Sequence, residues 1–374
     1  MDVNTPLPLL GGLTAQQFMR RHWQKKPLLI RQAIPGMRPL LDRQALFALA
    51  ASDDVESRLV VRQGERWRMR QGPFARRALP PLAQPDWTLL LQGMDLHHDG
   101  LHDLLQAFRF VPDARLDDLM VSYASDGGGV GPHFDSYDVF LLQAEGRRRW
   151  RIGRQKDLSL RDDVPLKILA HFEPEQEFVL EPGDMLYLPP RYAHDGDAQG
   201  ACMTYSIGFR APSKGEIARE LLLRLADDAD DATLYRDRDQ PAVTDSARLP
   251  EGLEAFAKDA LHALLQDGEA LRRSLGEWAT EPKPSVWFDT AGDGAAPDLS
   301  TGIRLDRRTR MQYDAQHVFI NGESFRAGGR DARLMQQLAQ TRQLTAADAQ
   351  RLSTDAAELV ATWQQSGWLH AQAL

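Results

Sequence analysis

Two histidines and one aspartate could do chemistry in this chain. His133 and Asp135 stand two apart in Gly131-Pro132-His133-Phe134-Asp135, and His194 follows sixty-one positions after His133, in Pro189-Pro190-Arg191-Tyr192-Ala193-His194. Two imidazoles and one carboxylate are the donor set of a non-haem Fe(II) centre that keeps about three coordination positions open. On an extended strand, residues two apart project to one face, so His133 and Asp135 converge and Phe134 points the other way. His194 must then arrive from a second strand or its loop. A lone His-x-Asp is common in surface turns, so its surroundings decide its meaning.

The next segment supplies a partner. Residues 138–146 read as a buried strand and a turn, and residues 147–153 as the following strand. The two-residue period puts Arg148, Trp150 and Ile152 on one face and Arg147, Arg149 and Arg151 on the other. Arg148 therefore travels with the apolar face. A buried guanidinium needs a carboxylate, which leaves two readings: an internal Asp or Glu, or a bound acid. With a metal triplet nearby, the better account is a dicarboxylic co-substrate that chelates the metal at one end and meets Arg148 at the other, because a planar fork of donors suits a bidentate acid. Further strands at Leu119–Ala124 and Cys202–Phe209 offer the hydroxyls of Ser122, Thr204 and Ser206. Taken singly, each such hydroxyl more often bonds to backbone.

In combination, residues 127–135 (Gly-Gly-Gly-Val-Gly-Pro-His-Phe-Asp), 146–150 (Gly-Arg-Arg-Arg-Trp) and 181–190 (Glu-Pro-Gly-Asp-Met-Leu-Tyr-Leu-Pro-Pro) resemble the JmjC-type, cupin-fold 2-oxoglutarate oxygenases. Among these they are most similar to the bacterial ribosomal oxygenases that hydroxylate an arginine of large-subunit ribosomal protein sixteen. Residues 25–30 and 208–212 share the likeness, which extends over the whole chain in length and layout. The resemblance implies Fe(II) held by His133, Asp135 and His194, with dioxygen and 2-oxoglutarate as co-substrates. It puts the distal carboxylate of 2-oxoglutarate on Arg148, with Ser122 and Ser206 beside it, and places Tyr137 and Asp138 along the substrate channel. It also implies a basic ribosomal protein as substrate. Asp126, ahead of the glycine-rich loop, either joins the site or starts the turn.

Whole-chain properties set bounds on these readings. A chain of 374 residues, 43% hydrophobic and 26% charged, has the composition of a globular protein with two or three domains. No apolar run approaches the roughly 20 residues of a membrane span, and the first thirty residues lack a secretory pattern. The single cysteine, Cys202, cannot form an internal disulfide. A cytoplasmic location is the expectation. A net charge of −8 argues against nonspecific nucleic-acid binding and agrees with a cationic protein substrate.

The elements that must position the site suggest a mixed α+β chain. Residues 1–212 read as a double-stranded β-helix (jelly roll, cupin-like) with flanking helices, one opened by the capping box Thr14–Gln17. Residues 213–280 read as a helical connector with more apolar surface than a linker needs, hence a dimerisation region and an expected homodimer. Residues 281–374 combine strands, an Asn321-Gly322 hairpin signal and three helices, and look winged-helix-like. Ten basic against eleven acidic residues there favour protein contact over DNA reading. His98 and His102, four apart, are a weak zinc signal beside Gly100 and are expected to start a helix. Asp126, Asp138, Glu145 and Asp195 are candidate acids for a mouth that receives a cation, although each taken singly more often lies at the surface. The reading is an Fe(II)- and 2-oxoglutarate-dependent protein hydroxylase. The rivals are a cupin metal enzyme without 2-oxoglutarate and a non-catalytic ribosome-associated scaffold.

Overall fold

In the computed structural model of this chain, Thr14 accepts from the Gln17 backbone N–H while the Gln17 side chain accepts from Thr14 N–H, so the expected capping box opens helix α1 (Ala15–Arg21). Residues 2–227, 229, 231–290, 299 and 301–372 are described. Two of the residues in the acidic run 227–231 lie outside them. The chain divides into two compact units, Met1–Ala211 and Pro212–Leu374.

The first unit is built on a nine-stranded sheet whose pairs are all antiparallel. Its strands are β1 (Leu28–Ile30), β2 (Ser57–Gln63), β3 (Arg66–Gln71), β4 (Trp87–Leu91), β5 (Leu116–Ala124), β6 (Val139–Gly153), β7 (Gln176–Leu180), β8 (Met185–Leu188) and β9 (Ala193–Phe209). The order is β1-β8-β6-β9-β5-β4-β2-β3, with β7 also on β6. Strand β6 pairs with β8 through residues 139–142 and with β7 through residues 148–152, while β9 follows it along its other side. One face is covered by α1, α2 (Arg43–Leu49) and α3 (Asp99–Gln106) around Phe18, Trp87, Phe140 and Tyr205. Val139, Leu141, Trp150, Ile152 and Leu186 make a smaller core on the other side.

The sequence pattern predicts two strands separated by a turn at Gly146; the structure has one strand with an irregularity inside it. Pairing with β9 shifts register on both sides of Glu145, and Gly146 takes a φ of +65°. The extra residue reverses the alternation. Before it the odd positions Val139 and Leu141 face the small core; after it the even positions Trp150 and Ile152 do. Strand β9 likewise begins earlier than the apolar run suggests, and so includes His194. Strand β4 is not among the expected elements.

In the second unit, α4 (Lys214–Asp227), α5 (Glu251–Gln266) and α6 (Gly268–Thr280) are followed by β10 (Ile303–Leu305), β11 (Met311–Tyr313), β12 (His317–Ile320) and β13 (Glu323–Arg326). Then come α7 (Gly329–Thr341), β14 (Gln343–Leu344), α8 (Ala346–Ala349), α9 (Thr354–Gln365) and β15 (Leu369–Ala371). Asn321 and Gly322 both take positive φ in the turn joining β12 to β13, as an Asn-Gly hairpin requires. Helix α6 packs on this hairpin: a Cβ on Gly276 would lie 2.4 Å from the Phe319 ring, and Ser324 donates to Glu277 at 2.6 Å. The expected boundary at residue 280 therefore cuts a packed contact. Among the described residues no helix is long and apolar enough to cross a membrane.

A Cβ at position 146 would meet the Ala201 carbonyl at 2.3 Å. Gly146→Ala should therefore destabilise the protein by at least about 2 kcal/mol in urea unfolding. An unchanged midpoint would show that the irregularity is not needed.

Candidate metal centre

The segment carrying the triplet is not the regular strand that its spacing suggests. It is held to β9 by a single bridge, in which His133 N–H donates to His194 O at 3.0 Å and His194 N–H to His133 O at 2.8 Å. Arg191 N–H donates to Asp135 O at 2.7 Å. This pinning brings ligand atoms of His133, Asp135 and His194 within 4.8 Å of one another. Phe134 lines the same cleft, a departure from strict alternation that follows from the irregular backbone.

Both imidazoles are oriented from behind. His133 Nδ1 lies 2.9 Å from Gly131 O, and His194 Nδ1 3.0 Å from Tyr192 O. A carbonyl can only accept, so each Nδ1 carries the proton and each Nε2 presents its lone pair. Burial, helped by the neighbouring His133, pushes the His194 pKa down to about 4, which keeps the ring neutral at physiological pH. His194 Nε2 faces Asp135 Oδ2 at 3.6 Å. Among the described residues no fourth His, Cys, Asp or Glu joins the group, so further positions on a metal are left to small ligands.

Arg148 reaches the same cleft and is 4% exposed. Its Nη1 donates to Ser122 Oγ at 3.3 Å and to Thr204 Oγ1 at 3.5 Å, and its Nη2 to Gly196 O at 3.1 Å; the Trp150 ring lies under it at 5.0 Å. Its Nε is buried and has no hydrogen-bond partner among the described residues. No carboxylate of the described residues forms an ion pair with it, so the internal Asp or Glu of the structural alternative is not there. A buried cation with no carboxylate partner among the described residues, in one cleft with a metal-type triplet, fits a small dicarboxylate.

The other expected residues divide. Ser122 and Ser206 line the cleft, and Thr204, whose hydroxyl donates to Gln143 Oε1 at 3.0 Å, lies with them. Tyr137 stands at the mouth, 38% exposed. Asp138 is not brought into the cleft: it is fully buried elsewhere, accepting from Tyr187 Oη at 2.6 Å, Gln24 Nε2 at 3.0 Å and Arg115 Nη2 at 3.3 Å. Its position follows from the alternation at the start of β6, where even residues face away from the metal. Asp126 accepts from Gly200 N–H at 2.7 Å and so braces a turn. Asp195 pairs with Arg151, and Glu145 is exposed outside the cleft. His98 caps α3, accepting from Leu101 N–H at 3.4 Å.

Besides Asp135, the acids that line the cleft are Asp117 and Asp118, which the residue pattern did not single out. Counting back by twos from Ser122 along β5 gives Met120 and Asp118, so the period held the signal. Asp118 is buried, accepting from Gln92 Nε2 at 2.7 Å and Gly93 N–H at 3.2 Å. Although the ring of Tyr137 is partly open to solvent, its hydroxyl pKa is raised, first by burial and then by the carboxylates of Asp135, Asp118 and Asp117. A Cβ on Gly208 would fall 3.5 Å from Asp118 Oδ1 and 4.0 Å from the Tyr137 ring, so glycine keeps a slot open between acid and aromatic. The whole cavity is about 520 Å³ and takes its far wall from Arg58, Val60 and Met69 of β2 and β3.

Comparison with known proteins gives the family matches and relatives of this chain. Residues 103–217 match the JmjC domain family and residues 263–370 the ROXA-like winged-helix family. The chain is 34% identical over 330 residues to the ribosomal protein uL16 3-hydroxylase of Escherichia coli, covering 84% of this chain and 86% of that one. It is 38% identical over 206 residues to a probable ribosomal oxygenase of Haemophilus influenzae, across 54% and 50% of the two chains. The Escherichia coli ribosomal oxygenase YcfD, solved with cobalt and 2-oxoglutarate, superposes with a TM-score of 0.82 at 29% identity, over 96% of this chain and 99% of that one.

The donor set predicts that His133→Ala and Asp135→Asn each lower Co(II) or Fe(II) affinity at least about 100-fold in calorimetric titration. Native affinity in both variants would move the metal elsewhere.

Proposed function

Because the chain belongs to the JmjC-domain ribosomal oxygenases, we propose that it hydroxylates an arginine side chain of a large-subunit ribosomal protein in the cytoplasm, using Fe(II), 2-oxoglutarate and dioxygen. The observation that carries this reading is the buried Arg148 guanidinium, with no acid paired to it among the described residues, in one cavity with the His133–Asp135–His194 triplet. These three residues would hold the iron, which supplies the oxidising chemistry when the co-substrates are bound. With the co-substrates bound, 2-oxoglutarate would be converted to succinate and carbon dioxide, one oxygen atom of dioxygen entering succinate and the other the substrate C–H bond.

The remaining steps belong to side chains. Arg148, which lines the cleft, takes the distal carboxylate on its guanidinium. Ser122 and Thr204 hold the guanidinium from one side and Trp150 from its face. Ser206, on the same wall, offers a hydroxyl to the bound acid. The apolar walls of Val139, Leu141 and Trp150 exclude water around the clamp. On the substrate side, the slot between Tyr137 and Asp118, with Asp117 nearby, suits a cation on an apolar stem. A guanidinium would lie against the ring with its donors toward the carboxylates, leaving the stem carbons to face the metal.

The exposed leucines of the second unit support the homodimer. Helix α5 buries no residue, and its Leu261 and Leu265 are about half exposed, with Leu222 and Leu223 of α4 also open. The near balance of charge in residues 281–374 supports protein contact there rather than DNA reading.

Three measurements bear on this reading. Incubation with Fe(II), 2-oxoglutarate and ribosomal extract should add one oxygen atom to an arginine-containing peptide of a large-subunit protein; succinate release with no ribosomal protein modified would contradict it. Arg148→Ala should raise the KM for 2-oxoglutarate at least about 30-fold while the protein stays folded, since truncating a buried charge pair costs about 2 kcal/mol or more. An unfolded variant would make that arginine structural. Sedimentation should give a dimer at micromolar concentration, and a compact monomer would remove the dimer.

A further inference from the structure

Residues 57–80 hold seven arginines and one acid, Glu65, in a chain whose net charge is −8. This is the β2–β3 hairpin and the turn after it. Two of the seven are accounted for: Arg58 lines the catalytic cleft and Arg62 pairs with Asp86 at 2.6 Å. The other five, Arg66, Arg68, Arg70, Arg76 and Arg77, are exposed, and none makes an ion pair within the described residues. Arg70 lies over the Phe74 ring at 5.3 Å and Arg76 over Phe47 at 5.2 Å, which holds two guanidinium planes in place.

We propose that the outer face of the β2–β3 hairpin binds single-stranded RNA. Strand β3 ends the sheet. Arg66, Arg68 and Arg70 point to one side of it, at a repeat of roughly 6.7 Å set by the pleat. That is a straight row of cations, which follows an extended phosphate backbone and does not match the groove of a duplex. All five are arginine, whose planar fork pairs with phosphate and whose face stacks on bases. Arg68 and Arg70 flank a cavity of about 220 Å³ floored by Leu59, Val61, Leu79 and Pro80, an apolar seat for a base beside a cationic rim. The acidic remainder of the chain does not cancel this field, because salt screens beyond about 10 Å. Charged side chains on an edge strand also discourage sheet-to-sheet pairing, but that role needs neither five cations of one type nor a seat between them. The opposite side of the same hairpin presents Val60 and Met69 to the catalytic cleft. RNA held here would lie at the rim through which a ribosomal protein enters.

The biological sense of this surface rests on the hydroxylase reading, but binding is measured without turnover, so the two fail separately. Fluorescence anisotropy of the full chain with a labelled oligouridine of about twelve nucleotides should show saturable binding at low salt. The triple variant R66E/R68E/R70E should weaken it at least about tenfold, and the log–log salt dependence should flatten by about two, from three lost contacts. R66K/R68K/R70K should retain most of the affinity. Turnover of a free peptide substrate reports that the glutamate variant is folded. Should it unfold, Arg66→Glu and Arg68→Glu alone should each weaken binding about threefold. Absence of RNA binding by the native protein, unchanged affinity in the glutamate variants, or displacement of RNA by polyglutamate as readily as by unlabelled RNA would each overturn the assignment.

Discussion

A positive charge inside a β-sheet core needs a negative one, and the organisation of this protein turns on a charge that no acid among the described residues pairs. Arg148 is enclosed, stacked on Trp150, and given only neutral oxygens by Ser122, Thr204 and Gly196. Such oxygens orient a guanidinium without neutralising it. An internal acid would have made a structural ion pair; among the described residues none does, which leaves the charge open to an acidic ligand. Asp138 shows the contrast within the same strand region. It is equally buried, but Arg115, Gln24 and Tyr187 all donate to it, and it holds structure together.

The backbone places these groups by small departures from regularity. If β6 kept strict alternation, Arg148 would share a side with Phe140 and Leu142, in the core beneath the helices. The irregularity around Gly146 turns it to the metal side instead. The metal triplet is likewise not a product of ideal strand geometry. One bridge between His133 and His194 sets the distance between the two imidazoles, and backbone carbonyls two residues earlier set the protonated nitrogen of each. On the outer side of the same strands, Arg149 and Arg151 pair with Asp197 and Asp195 directly opposite, which keeps β9 in register next to His194.

Much of this could be read from residue types and spacing. The triplet was legible because its three donors have no common reason to recur together. The inward turn of Arg148 was legible because Trp150 and Ile152 share its parity. The Thr14 capping box and the Asn321-Gly322 turn were legible because each depends on neighbouring residues alone. The substrate side was harder to read. Asp118 sits at the polar start of a strand, where an acid looks like a solvated end, and only the period running back from Ser122 connects it to the cleft. Asp138 misled because proximity to Asp135 in sequence says nothing about face. The continuous course of β6 was hidden because a glycine followed by three arginines looks like a turn, although a bulge with positive φ needs the same residue. The arginines of β3 were unremarkable in a chain judged by net charge, since that sum erases a local field.

The most direct measurement is a crystal structure of the protein with Mn(II) and 2-oxoglutarate under anaerobic conditions. One metal peak is expected, bonded to Nε2 of His133, a carboxylate oxygen of Asp135 and Nε2 of His194, with the far carboxylate of the acid paired to Arg148. Metal at other residues, or an acid whose far carboxylate faces away from that guanidinium, would contradict this assignment.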